Sequence, residues 1–93
     1  MNSAEMLLPN LKIDLGITTD AYNDRLKAYL KNAQKEIQRE GVTIGNCVDD
    51  DQLVIMYAAW TWRRRDSGEG MPRMLRYALN NRVFSQKMVS EDG

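Results

Sequence analysis

The clearest pattern in the chain is a stripe of apolar positions that recurs at helical spacing between Tyr22 and Ile37. Its members lie at offsets of 0, 4, 7, 8, 11 and 15 residues, the spacing of one face of an α-helix: Tyr22, Leu26, Tyr29, Leu30, Ala33 and Ile37. The sequence Thr-Thr-Asp at residues 18–20 offers N-cap side chains before the stripe, and Gly41 follows it. The pattern predicts a long helix that begins near residues 18–20 and ends at about Glu40.

A shorter apolar stripe precedes this helix. Leu8, Leu11 and Leu15 share one face, which predicts a first helix that ends near Leu15. Because proline has no N–H, Pro9 is expected in the first turn of this helix or at a kink. Gly16 is suited to a left-handed C-terminal cap, so the helix is predicted to close there.

The third predicted helix is apolar on every side. Eight successive apolar residues, Leu53–Trp60, leave no polar face along its middle. The helix is therefore expected to be the central helix of the fold or to lie at a subunit interface. Asp49–Asp51 supply an N-cap and negative charge at its start, and the pattern predicts a helix from about Asp51 to Asp66.

A fourth helix is predicted after the glycine-containing break at residues 68–70. Pro72, a favoured first-turn residue, opens a segment that is predicted to be helical up to Asn80–Asn81. Leu75 and Leu79, together with Ala78, are predicted to face inward. The opposite side carries a candidate contact face: Arg73, Arg76, Tyr77 and Asn80.

Length and composition agree with this organisation. Ninety-three residues, 43% of them hydrophobic and 28% charged, suffice for one modest core. Residues 42–48 are predicted to be a connector, and the polar residues 85–93 a mobile tail. The predicted fold class is all-α: a single domain, residues 1–93, in which about four helices form a small bundle with a long second helix and a buried third helix.

Charge is distributed unevenly along the chain. The totals are equal, with 13 basic and 13 acidic residues. Residues 63–87, however, carry seven basic and two acidic side chains, whereas residues 1–62 carry six basic and nine acidic ones. This polarity favours contact with an oppositely charged surface, including another copy of the same chain.

Little in the sequence points to a reaction centre. The chain has no histidine and one cysteine, Cys47, so the commonest general base, a disulfide within the chain and a cysteine–histidine zinc site are excluded. The consecutive carboxylates Asp49–Asp51 do not converge on one cation, and Gly68-Glu69-Gly70 is typical of a turn between helices. We expect no enzymatic activity, no cofactor and no metal.

The sequence also predicts a soluble, cytoplasmic protein. The apolar run at residues 53–62 is about half the length of a membrane-spanning helix, which needs about 20 residues. The first residues lack the basic region of a signal peptide, and Glu5 and Pro9 interrupt the apolar residues 6–8. No membrane contact is predicted.

A row of lysines on the second helix allows two interpretations. Lys27, Lys31 and Lys35 share one face at i, i+4 spacing, which slightly destabilises a helix unless negative charge offsets it. The row is either a solvated face or a surface that pairs with an acidic patch of a neighbouring copy, for which the candidate is Asp49, Asp50 and Asp51.

The end of the third helix is a second candidate contact region. Trp60 shares a stripe with Leu53 and Tyr57 and is interpreted as core, whereas Trp62 lies on a different face and requires its own covering surface. Tryptophan and arginine are enriched where binding energy concentrates. Trp62 and the three arginines that follow it, Arg63, Arg64 and Arg65, are therefore candidate interface residues, although cations also favour a helix C-terminus.

The chain resembles the head-to-tail connector (adaptor) proteins of long-tailed phages and prophages. The segments that carry the resemblance, in order, are Leu11–Ile17, Tyr22–Gly41, Leu53–Trp60, Arg63–Asp66 and Gly70–Arg82. Within the last of them, the string Met-Pro-Arg-Met-Leu-Arg-Tyr-Ala-Leu-Asn-Asn-Arg at residues 71–82 is specific, and the N-terminal half is generic helix sequence.

The resemblance implies a small helical virion protein that forms a closed ring under the portal at the head-to-tail junction. Its partners would be further copies of itself, the portal protein, and a downstream connector or tail-completion protein. DNA would pass through the ring without sequence-specific binding, and assembly would take place in the cytoplasm of the bacterial host. The resemblance implies no catalytic residues.

Two alternatives remain open at the level of sequence. Two helices joined by a glycine turn, with arginines on the second, are also compatible with a small helix-turn-helix module that binds nucleic acid. Against it, Asp66 and Glu69 lie in or beside the turn and the chain is neutral overall. The other alternative is a small interaction domain that forms no ring.

Overall fold

The chain folds into four α-helices, which confirms the predicted all-α bundle. The computed structural model describes the backbone of residues 2–45 and 47–92, and the side chains of those residues up to residue 86. The helices are α1 (Ala4–Leu15), α2 (Asn23–Arg39), α3 (Val48–Ser67) and α4 (Arg73–Asp92). The helix α3 is central, since α1, α2 and α4 all pack against it.

The first helix has a side-chain cap at its start and a glycine cap at its end. The Ser3 hydroxyl accepts a hydrogen bond from the Met6 N–H, and Gly16 adopts the predicted left-handed conformation with φ 72°. The Ile17 N–H then donates to the Lys12 carbonyl at 2.9 Å, which closes a Schellman motif. Pro9 lies in the second turn, not the first, on the exposed side of the helix.

Gly16→Ala is expected to lower the free energy of unfolding by about 1 kcal/mol, because a side chain with Cβ is strained at positive φ. No atom lies within 4 Å of the position that the new Cβ would take, so crowding adds nothing to that cost. Gly70→Ala is the matched control, since Gly70 is equally open and has no positive φ. Urea denaturation checks the pair, and equal effects at both positions would contradict the cap assignment.

The second helix buries the predicted stripe but begins later than predicted. Leu26, Leu30, Ala33 and Ile37 are all fully buried. The N-cap is Tyr22, without a side-chain hydrogen bond, so the prediction of a cap at residues 18–20 is wrong. Those residues form a separate turn instead, in which the Thr19 hydroxyl accepts from the Ala21 N–H and the Asp20 carbonyl accepts from the Asn23 N–H.

The third helix is buried as predicted and is longer than predicted. Every residue of 53–60 is buried except Met56, which is partly buried against the core. The helix begins at Val48, not Asp51. The three aspartates therefore lie in its first turn, where their charge complements the helix dipole, and none of them is the N-cap.

The fourth helix continues well past the predicted end at Asn80–Asn81. Leu75 and Leu79 are buried as predicted, and no proline or glycine stops the helix, which runs to Asp92. Gln86 holds this extension against the connector: its amide nitrogen donates to the Gly41 carbonyl, and its amide oxygen accepts from the Thr43 N–H.

The predicted mobile tail is consequently wrong at its start, because residues 85 and 86 belong to α4 and residue 86 is tied to the connector. The rest of that prediction falls on residues 87–93, whose side chains lie outside the described residues. The connector itself contains no strand among its described residues; Val42 and Ile44 are buried and Thr43 between them is exposed.

Candidate interaction surfaces

Trp62 is part of the subunit core, which leaves little of its side chain for the predicted interface role. The side chain is only 8% exposed. Its ring makes edge-to-face contacts with Tyr29 and Tyr22, with centroids 5.3 and 5.7 Å away. The surface that covers Trp62 is therefore formed by α2 and the residue before it, within the same subunit.

Trp60 lies in the core as predicted and helps to fix the turn before α4. Its ring contacts that of Tyr57 edge to face at 5.3 Å. The indole N–H points to the backbone carbonyls of Glu69 and Gly70, at 3.3 and 3.1 Å. The tryptophan thus ties the end of α3 to the glycine turn and sets where α4 begins.

The three arginines that follow Trp62 are exposed but folded back onto their own subunit. Arg64 lies over the Trp60 ring at 4.9 Å and Arg65 over the Trp62 ring at 3.9 Å, so both guanidinium groups make cation–π contacts. Arg63 donates to the Asp14 carbonyl at 3.2 Å and joins α3 to α1. These contacts stabilise the bundle, and the structure does not bring the three cations together as one free patch.

Asp50 is a buried structural residue, so the predicted acidic patch at 49–51 does not exist as a unit. Asp50 is 3% exposed, and one carboxylate oxygen lies 2.7 Å from the Arg82 guanidinium. The other oxygen accepts from the Gly45 N–H at 2.7 Å. Arg82 also donates to the Thr43 carbonyl. The two side chains join α3, α4 and the connector.

The other members of the predicted charge pairing remain on the surface. Asp51 accepts a hydrogen bond from the Asn2 side chain at 2.7 Å, and Asp49 is exposed. On α2, Lys31 and Lys35 are exposed and Lys27 is partly buried. Because Asp50 is buried, the acidic patch at residues 49–51 lacks its central charge on the surface. Pairing of the lysine row with Asp49 and Asp51 of a neighbouring copy stays a prediction.

An apolar and basic surface runs along the exposed side of α4. We define the outer face of α4 as six exposed residues: Arg73, Met74, Tyr77, Asn80, Asn81 and Phe84. Met74 and Phe84 are 75% and 65% exposed, and Tyr77 is also largely exposed. The predicted contact face is therefore exposed, but Arg76 at its edge already pairs with Glu40 on the same subunit, at 3.5 Å.

A second surface is an acidic groove between α1 and the first half of α3. The α1/α3 groove has a volume of about 380 Å³. Its lining consists of Asn10, Ile13, Asp14, Val48, Asp51, Gln52 and Ile55. Ile13 and Val48 form exposed apolar walls, 78% and 75% exposed, above the buried Ile55. Among the described residues, no basic side chain lines the groove.

Sequence reasoning identified Tyr77 but missed the other apolar members of the two surfaces. Phe84 falls seven residues after Tyr77, a helical repeat that would have identified it if the fourth helix had been extended past Asn81. Val48 belongs to α3 and not to the predicted connector, and Ile13 of α1 joins it in one surface only because α1 and α3 lie side by side. Phe84 and Val48 could have been identified from the sequence if the end of α4 and the start of α3 had been predicted correctly.

Asp20 and Tyr57 have shifted pKa values, and both shifts have structural causes. The hydrogen bond from Lys12, at 2.8 Å, lowers the pKa of Asp20 below its usual range. Burial raises the pKa of Tyr57, with a smaller contribution from the nearby carboxylates of Glu36 and Glu40. Among the described residues, no group of three or more potential metal-ligating side chains is suited to hold a metal ion.

No model of a known protein family matches the chain, and no characterised protein or solved structure is significantly similar to it. In the part of the chain that the structure describes, no helix has both the length and the apolar character required to cross a membrane.

Proposed function

We propose that this chain is a head-to-tail connector (adaptor) of a long-tailed phage or prophage. Its subunits would form a ring under the portal that extends the DNA channel and provides the platform on which the next connector layer or the tail docks. The protein would act in the virion after assembling in the host cytoplasm, as a structural component and not as an enzyme. The proposal originates in the sequence resemblance, which is most specific in residues 71–82.

One observation carries the proposal furthest. The segment with the specific resemblance is the start of α4, whose outer face exposes Met74 and Tyr77 beside Arg73. Exposed methionine, aromatic and arginine side chains on one rigid helix are typical of protein contact surfaces. Arg73 makes no ion pair with a described residue, so its charge is free for a partner.

This composition favours protein contact over contact with the DNA in the channel. A surface that grips phosphates would hinder DNA passage, and Arg76 is already partly neutralised by Glu40. The partners would be other copies of the chain, the portal protein, and the downstream connector or tail-completion protein. DNA would pass without sequence-specific binding.

The helix-turn-helix alternative is less well supported by the same surfaces. Its recognition helix would be α4, whose outer face places Met74 and Phe84 where a DNA-reading helix needs polar side chains. The arginines at the end of α3 are occupied with Trp60, Trp62 and Asp14.

Light scattering over a concentration series, with duplex DNA binding in parallel, distinguishes the functions. The connector function predicts one of two results: discrete multimers of the chain alone, or a monomer that multimerises only when portal protein is added. In both cases it predicts no salt-dependent affinity for duplex DNA. Tight duplex binding by the monomer, weakening steeply with salt, would support the nucleic-acid module instead. A monomer that binds neither portal protein nor DNA would leave only the small interaction domain.

A further inference from the structure

We propose that the outer face of α4 of one copy binds in the α1/α3 groove of a second copy. This inference rests on the proposed function, because it names the two surfaces that join neighbouring subunits of the ring. It differs from the pairing of the lysine row with the aspartates, which Asp50 does not support.

The apolar parts of the two surfaces match in length. Tyr77 and Phe84 are seven residues apart on α4, which corresponds to about 10 Å along a helix. The α3 wall of the groove, from Val48 to Ile55, also spans seven residues and about 10 Å. A helix whose apolar side chains enter a groove between two other helices is a common mode of recognition.

The charges of the two surfaces are complementary. The outer face of α4 contains Arg73 and no acidic residue. The described lining of the groove includes Asp14 and Asp51 and no basic residue. Arg63 approaches the Asp14 carboxylate only to 3.9 Å, and both side chains are about half exposed, so this exposed pair leaves most of the negative field in place.

The same subunit cannot fill its own groove with α4. Leu75 and Leu79 anchor α4 on α3, with both side chains in the core, so the outer face points away from the bundle. Each copy therefore offers an α4 face to one neighbour and a groove to another. Such a contact between unlike surfaces repeats from copy to copy and closes into a ring when the rotation per subunit allows it.

Disulfide trapping tests this contact, because the only cysteine of the chain is next to the groove. Cys47 is exposed and precedes Val48, a wall of the groove. In Asn80→Cys, with the new thiol midway along the outer face, mild oxidation is expected to give an intermolecular disulfide between position 47 of one copy and position 80 of the next. Peptide mass spectrometry identifies the joined positions.

Lys31→Cys is the matched control, since Lys31 is an exposed residue on α2 outside both surfaces. We expect it to give at least tenfold less cross-link to Cys47 at the same protein concentration. Equal yields in the two variants, or joining of position 80 mainly to position 80, would overturn the inference. Asn80→Cys combined with Cys47→Ser should give no mixed disulfide.

Charge reversal provides an independent measurement. Arg73→Glu is expected to weaken self-association at least tenfold, and Asp51→Lys in the same chain is expected to restore most of it. Lys31→Glu makes the same charge change on α2; if it weakens association as much as Arg73→Glu, overall charge or pairing by the lysine row is responsible, and not the contact between α4 and the groove. Thermal melting of each variant separates loss of contact from loss of fold.

Failure of the inference and failure of the proposed function have different signatures. Rings that form without preferential cross-linking of Cys47 to position 80 would place the subunit contact elsewhere and leave the connector function standing. Absence of any multimer, alone or with the portal protein, would remove both. Cross-linking of Cys47 to a helix of another protein, and not to position 80 of a second copy, would assign the groove to that protein.

Discussion

Arg82→Met is expected to lower the free energy of unfolding by about 2–4 kcal/mol, because it leaves a buried carboxylate without its cation. Asp50 is 3% exposed, and the Arg82 guanidinium 2.7 Å away is the cation that it contacts. The substitution also removes the hydrogen bond to the Thr43 carbonyl. Because Arg82 is itself partly exposed, we expect less than the loss from breaking a fully buried pair.

The matched control is Arg76→Met on the same helix. Its partner Glu40 is 3.5 Å away and both side chains are well exposed to solvent, at 46% and 39%, so the cost should be below about 1 kcal/mol. Urea denaturation measures both variants. Adding Asp50→Asn to Arg82→Met should recover at least about 1 kcal/mol, since the unpaired charge is removed. Equal losses for the two arginine variants would contradict the structural role of Asp50.

Trp62→Ala is expected to lower the free energy of unfolding by about 3–5 kcal/mol, the usual cost of truncating a large buried aromatic residue. The loss includes the edge-to-face contacts with Tyr22 and Tyr29 and the cation–π contact with Arg65. Because a small domain has little stability to spare, Trp62→Ala can unfold the protein, and Trp62→Phe is included as a milder variant. We expect Trp62→Phe to lower the free energy of unfolding by less than Trp62→Ala and still to lower the melting temperature measurably.

Tyr77→Ala is the control for this prediction, because Tyr77 is an exposed aromatic residue on the outer face of α4. Its effect on stability should stay within about 0.5 kcal/mol, and its effect on self-association should be large. If Trp62→Phe folds as stably as the unmodified chain but fails to assemble, Trp62 is an interface residue after all.

Periodicity was sufficient to predict the helices and the direction in which most of them face. The stripe from Leu26 to Ile37 and the inward pair Leu75 and Leu79 follow from spacing alone, and their burial agrees with it. Gly16 was predictable because a left-handed cap has few alternatives to glycine. Local sequence carries this information because helix period and cap chemistry are local properties.

Helix ends and partners were less predictable, because they depend on residues distant in sequence. The fourth helix extends past Asn81 where Arg82 and Gln86 find partners in the connector some 40 residues earlier. Periodicity showed that Trp62 needs a cover but not that Tyr29 provides it. Likewise, an aspartate in a helix's first turn is normally solvated, and nothing local identifies Asp50 as buried.

The corrected positions change which residues can mediate assembly. Of the residues first considered for contact, Trp62 and Asp50 serve the fold, and Arg63–Arg65 are largely occupied within the subunit. What remains is a helix with an exposed apolar and basic face and a groove with apolar walls and acidic residues. These unlike surfaces on one small subunit are what a ring built from identical copies requires.

Electron microscopy of the chain mixed with the portal protein of the same genome tests the central claim most directly. The account predicts that annular particles acquire an extra layer coaxial with the portal, and that Tyr77→Ala, which should fold normally, yields the portal ring alone. Portal rings that stay bare at high concentrations of the unmodified, folded protein would contradict the assignment as a head-to-tail connector.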